Sequence, residues 1–257
     1  MLRPASPRVG GSGIEMGELQ GTEPRPKGEM MASVEGRVLS VNVGTARDFE
    51  FNGRHVKSAI WKSPVVGRVA ARGVNLEGDD QADRNAHGGP DKAVYAYAAE
   101  DVRWWERELD RSLQHGQFGE NLTTEGIDVN EALVGERWEV GTSVLEVSEP
   151  RVPCWRLGVR MEDRSFVRRF TEALRPGAYL RILVEGLVGA GDEIRVVERP
   201  DHGVSVRDVF RIYTRDREEA GRLLTVPRMS ESWKAWANGL LRKAGSRVPP
   251  AAEPGCC

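Results

Sequence analysis

Apolar positions along this chain follow two different rhythms. From about residue 34 to residue 198 they come in short runs, at 37–43, 55–61, 65–70, 93–97, 137–140, 143–147, 177–184 and 193–198, separated by Gly, Asn and Asp. Runs of this kind predict β-strands, and their spacing favours an antiparallel barrel or sandwich over repeated βαβ units. Two stretches break the pattern with helical spacing: 98–110, carrying Val102, Trp105 and Leu109, and 163–174, with Phe166, Val167 and Phe170 turned inward. After Pro200 the rhythm changes for good. Residues 204–214, 216–224 and 230–243 predict three helices with no strand among them, with Asp216 and Ser230 as N-caps. The expected class is therefore mainly β with α, an α+β chain: a barrel domain over 34–200 followed by a small three-helix unit over 201–245.

The flanks have little to bury. Residues 1–33 and 246–257 are rich in Gly, Pro and charge and read as a disordered N-terminal extension and a disordered tail. Met30 and Met31 are alternative starts, and deletion of residues 1–30 is expected to change neither stability nor activity. Composition then removes several function classes. With 37 basic and 39 acidic residues the net charge is −2, so no overall field attracts nucleic acid. The three helices admit a helix-turn-helix reading, but Trp233, Trp236 and Leu240, at i, i+3 and i+7, form an apolar packing stripe, and nucleic acid is not expected as a partner. There is no apolar run of roughly 18 residues, which argues against a membrane span. Two of the three cysteines are the last two residues, so no disulfide framework exists and a cytoplasmic location is expected.

Candidate chemistry concentrates in three loops. In Pro150-Arg151-Val152-Pro153-Cys154-Trp155-Arg156-Leu157, two prolines stiffen the approach to the internal cysteine, while Arg151 and Arg156 favour its thiolate, the form that attacks electrophiles and binds soft metals. A buried structural cysteine is the alternative. A long polar segment, 78–92, gathers Asp79, Gln81, His87, Gly88, Gly89 and Lys92; the paired glycines let backbone N–H groups approach a ligand, or simply make a turn. The third loop, 116–126, offers Glu120 and Asn121 to a polar ligand or to its own turn. On the strand at 177–184, alternation puts Tyr179, Arg181 and Leu183 on one face, where Arg181 is either an anion clamp or a rim salt bridge.

Taken together, Gly78-Asp79-Asp80-Gln81-Ala82-Asp83, His87-Gly88-Gly89-Pro90-Asp91-Lys92-Ala93-Val94-Tyr95, Phe118-Gly119-Glu120-Asn121-Leu122-Thr123-Thr124-Glu125-Gly126 and Pro150-Arg151-Val152-Pro153-Cys154 closely resemble the MOSC domain, the fold of the C-terminal region of molybdenum cofactor sulfurases, in its stand-alone YiiM-like form. The likeness covers about residues 34–200, and 202–245 resembles the helical appendage of that subgroup. It implies a β-barrel that binds the molybdenum cofactor (molybdopterin), with Cys154 at its mouth as the metal ligand. It further implies reduction of N-hydroxylated compounds, hydroxylamino purines included, with electrons from a separate reductase. Lys62, Lys92, Arg151 and Arg181 are the expected cofactor anchors, Gln81, His87, Gly88, Gly89 and Asn121 fall on family-like motifs, and Asp79 or Glu120 would relay protons. Two other readings share the resemblance: a sulfur carrier using a Cys154 persulfide, and a non-catalytic cofactor carrier. Pyridoxal phosphate is associated with the family only through the larger sulfurases, and a homodimer is an expectation for assembly.

Overall fold

The computed structural model describes residues 33–81 and 88–245. Thirteen strands appear among them: β1 (Ser33–Val43), β2 (Arg47–Phe51), β3 (Arg54–Ser58), β4 (Ser63–Pro64), β5 (Arg68–Arg72), β6 (Asn75–Leu76), β7 (Val94–Ala98), β8 (Leu122–Glu125), β9 (Arg137–Val140), β10 (Ser143–Pro150), β11 (Ala178–Val184), β12 (Gly186–Gly189) and β13 (Glu193–Glu198). Seven of them close a barrel in the order β13-β9-β10-β11-β7-β8-β1, with β1 returning to β13. Its interior is filled by the inward half of each alternation, including Val38, Val41, Leu122, Trp138, Leu145, Val147 and Leu180, all at most 1 % exposed. Closure leaves the barrel no open edge.

Helix α1 (Ala99–Leu109) follows β7 directly, and the crossover it makes allows β7 and β8 to run parallel, the one departure from the expected antiparallel ladder. Its Trp105 packs outside the barrel with Tyr97, Phe118, Phe166 and Phe170, joining α2 (Trp155–Arg160) and α3 (Phe166–Ala173) to the wall. The strand expected at 55–61 ends at Ser58. Instead β2 and β3 make a separate hairpin, whose Asn52-Gly53 turn has φ of 51° and 71°, the left-handed pair that a two-residue hairpin turn requires.

The C-terminal part contains α4 (Val206–Thr214), a 3-10 segment over Arg217–Thr225 and α5 (Glu231–Gly245). Ser205 caps α4 reciprocally with Asp208. The expected Asp216 cap does not form, because its carboxylate is engaged by Arg211. Ser230, directly before α5, donates its hydroxyl to Glu149 at the end of β10.

Candidate functional site

Strand alternation decides where the site lies. Val94, Ala96, Ala178 and Leu180 point into the barrel, so their neighbours Tyr95 and Tyr179, paired across β7 and β11, face outward. A cavity of about 110 Å³ sits over these two rings, beside the first residues of β7, β8 and β11 and the last of β10. Its other walls are the segment after β3, with Ile60 and Lys62; Asp79 and Gln81 after β6; Lys92; Gly119 and Asn121; and Arg151, Cys154 and Arg156. The three loops that concentrate polar residues in the sequence thus meet at one place. Cys154 is neither fully buried nor fully exposed, at the N-cap of α2 with an extended backbone.

Lys62 and Asp79 form a buried ion pair at the cavity wall. Asp79 also accepts the Gly44 N–H at 2.8 Å and the Asn121 amide at 2.9 Å. Burial holds the Lys62 ammonium below the usual lysine range, and the attraction of Asp79 opposes that shift. Asn121 is fixed on both sides: its Oδ1 accepts from the Tyr95 N–H at 3.0 Å and its Nδ2 also donates to the Asn42 carbonyl at 3.2 Å. Arg151 is only 6 % exposed; it donates to the Phe118 carbonyl and lies 5.1 Å over the Tyr95 ring. Among the described residues it has no carboxylate within ion-pair distance. Tyr179, its phenol pushed up to about 12 by burial, remains protonated at neutral pH beside it.

Other expected site residues are used differently. Glu120 is sealed, its carboxylate accepting from the Gly116 and Phe118 N–H groups at 2.6 and 2.9 Å and from Thr123 at 3.0 Å, so it braces its own loop and touches no cavity. Gln81 lines the cavity, but its amide is engaged by the carbonyls of Val74 and Lys92 and its oxygen by the Gly89 N–H at 3.0 Å. That bond removes Gly89 as a ligand donor, and neither Gly88 nor Gly89 lines the cavity. Arg181 is held in ion pairs, donating to Glu146 at 2.8 Å and to Asp91 at 2.5 Å, and does not line the cavity. Lys92 reaches the cavity while paired with Glu149 at 2.8 Å. His87 lies outside the described residues. The sequence reading missed Tyr95 and Tyr179 as the floor; the alternation on β11 that singled out Arg181 carries Tyr179 on the same face, and was the signal available.

A second cleft of about 330 Å³ shares Lys92, Val152, Cys154 and Tyr179 with the first and extends to the C-terminal helices. Among the described residues no group of three or more His, Cys, Asp and Glu is placed to hold a metal ion by itself. No helix among them is long and apolar enough to cross a membrane.

The MOSC domain matches residues 83–195. The chain is 36 % identical over 201 residues to the uncharacterised protein YflK of Bacillus subtilis, covering 77 % of this chain and 91 % of that one. It is 32 % identical over 195 residues to a protein of Gibberella moniliformis named reductase, covering 74 % of this chain and 33 % of that one. The crystal structure of YiiM from Geobacillus stearothermophilus superposes with a TM-score of 0.67 at 28 % identity, over 80 % of this chain and 99 % of that chain.

Proposed function

Because the chain belongs to the MOSC domain family and is YiiM-like, we propose that it holds a molybdenum cofactor against Cys154 and there reduces N-hydroxylated compounds, hydroxylamino purines among them. The residues present fit that cofactor in two ways. One cysteine with no supporting cluster of His, Cys, Asp or Glu among the described residues suits a metal that arrives with most of its ligands on an organic carrier. Beside it in the same cavity wall stands the buried Arg151 guanidinium, held by the Phe118 carbonyl and the Tyr95 side chain and close enough to Cys154 to interact with it electrostatically. With no carboxylate paired to it among the described residues, this guanidinium suits an anionic partner, and a phosphate on the carrier would supply one. The juxtaposition of Cys154 and Arg151 is the observation that carries this reading.

Converting a hydroxylamino group to an amine takes up two electrons and two protons, breaks the N–O bond and releases water. When bound, the cofactor supplies the redox chemistry that side chains lack, with electrons coming from a separate reductase. The chain's own part is positioning and protons. Lys62, made more acidic by burial, can yield a proton at Nζ and be recharged beside Asp79, and the Tyr179 hydroxyl can donate a hydrogen bond toward the same space. The name of the Gibberella relative is consistent with a reductive reaction.

The test is to purify the full chain from a host that makes the cofactor, measure molybdenum and extracted pterin, and assay an N-hydroxylated purine with an artificial electron donor. Stoichiometric metal and pterin with turnover is the expected result. Cyanide-labile sulfur without turnover would make the chain a sulfur carrier using Cys154. Metal and pterin without turnover would make it a cofactor carrier, and either outcome overturns the reductase.

A further inference from the structure

The second cleft has a wall that the reaction outlined above does not use. On the barrel side it is bounded by Cys154, Val152 and Tyr179, and by the Lys92–Glu149 pair. On the far side stand Tyr213 of α4 and Ser232, Trp233 and Trp236 of α5. Two of the ring pairs meet edge to face, Tyr213 to Trp233 at 5.2 Å and 76° and Trp233 to Trp236 at 5.8 Å and 75°, and the third, Tyr213 to Trp236, is tilted at 5.1 Å and 52°. None of the three pairs stacks face to face, so Tyr213 and Trp236, both only partly buried, offer ring surface to a flat guest in the cleft, while Trp233, 7 % exposed, backs them. The opposite wall is polar and built. Glu149, 2 % exposed, accepts from Lys92 at 2.8 Å and from the Ser230 hydroxyl at 2.9 Å, and Ser230 in turn meets the Ser232 hydroxyl at 3.0 Å. A carboxylate with one partner on each oxygen keeps acceptor capacity for a ring N–H or an amino group. At about 330 Å³ the cleft is of ligand size, and it adjoins the first cavity, with Lys92, Val152, Cys154 and Tyr179 lining both.

We propose that this cleft is the substrate-selecting chamber: Tyr213 and Trp236, backed by Trp233, grip a planar aromatic ring system while its exocyclic N-hydroxy group reaches toward Cys154. The proposal rests on the reductase reading and adds to it that the C-terminal helices, not the barrel, select aromatic over aliphatic substrates.

Two readouts test it. In the loaded enzyme, Trp236→Leu should raise KM for an aromatic hydroxylamine about tenfold relative to KM for N-methylhydroxylamine, the scale expected for loss of one stacking partner. In cofactor-free protein, adenine should quench tryptophan emission saturably, and Ser232→Phe, which adds bulk at the exposed edge of the cleft, should abolish the quench. Should Trp236→Leu fail to fold, Ser232→Phe carries both readouts. An unmoved KM ratio, or a quench that survives Ser232→Phe, overturns the chamber. If the loaded wild type reduces no N-hydroxylated compound but the quench appears and Ser232→Phe removes it, the chamber stands and the reductase reading falls.

Discussion

Beneath the cavity a single buried carboxylate shows how a motif residue can be indispensable without being chemical. Glu120 ends a chain of polar side chains that starts at Ser40, passes through Asn42 and reaches it by way of Thr123. Burial raises its carboxyl above the ordinary 4.5, although hydrogen bonds from Gly116, Thr123 and Phe118 work the other way. Between that ordinary value and the raised one, the folded chain keeps a proton that the unfolded chain has released, so stability should fall as pH rises through the window. Glu120→Gln removes the titration and sets an NH₂ against an N–H donor. It should lower stability by about 1–3 kcal/mol and flatten the pH dependence of the urea midpoint; a variant with the wild-type slope would show that the carboxyl is not the source. Cys154→Ser should behave oppositely. The cysteine heads α2 without a side-chain capping bond, a role serine fills well, so the melting temperature should hold while molybdenum content drops to background. Metal content equal to wild type would remove Cys154 as the ligand.

At the scale of elements, the cavity owes its shape to two irregular segments that touch backbone to backbone. A Cβ at Gly116 would stand 2.6 Å from the Lys62 carbonyl oxygen, and one at Gly119 would stand 2.9 Å from the Ile60 side chain, with φ at +81° and +77°. Gly116→Ala therefore carries both left-handed strain and a backbone clash and should cost about 2 kcal/mol or more, whereas Gly53→Ala, at a hairpin tip with nothing within 4 Å, should cost only about 1 kcal/mol. Calorimetric melting of the two variants compares them directly, and equal shifts would contradict the close approach. This proximity also marks how far the sequence could be read. Short β runs and helical spacing recovered most barrel strands and the helices at 98–110 and 163–174, because both periods are local. That Asp79, Asn121 and Cys154 would share a cavity was legible only as a resemblance, since residues scattered from 79 to 154 are joined by barrel closure and not by spacing. The sequence offers Glu120 as a proton relay and Gly89 and Arg181 as cofactor contacts because it shows which groups can bond but not which bonds the chain already makes. The Trp233–Trp236 stripe was read as packing. It does pack, and it also presents a wall to the cleft, which no helical period reveals.

For the whole molecule, the question is whether barrel and C-terminal helices are separate folding units. Their apolar clusters are interlocked. Val206 of α4, fully buried, belongs to the barrel's core, while Val134, before β9, belongs to the helical cluster with Val209, Ile212 and Leu223. Polar contacts follow the same path: Leu133 bridges Ser205, Ser230 donates to Glu149, and Arg181 reaches the Arg228 carbonyl. An interface that exchanges core residues should unfold with the parts it joins, so the described body is expected to melt in one transition. The chain carries its own reporters, since Trp138 lies in the barrel and Trp233 and Trp236 lie in α5. Tryptophan emission and far-UV circular dichroism should give coincident urea transitions in the wild type. Val206→Ala should shift both together, by about 2 kcal/mol of lost packing. Were the helices to melt first, leaving a barrel with native Trp138 emission, the chamber proposed beside Cys154 would rest on a detachable wall, and its selectivity would disappear at a denaturant concentration that spares metal binding.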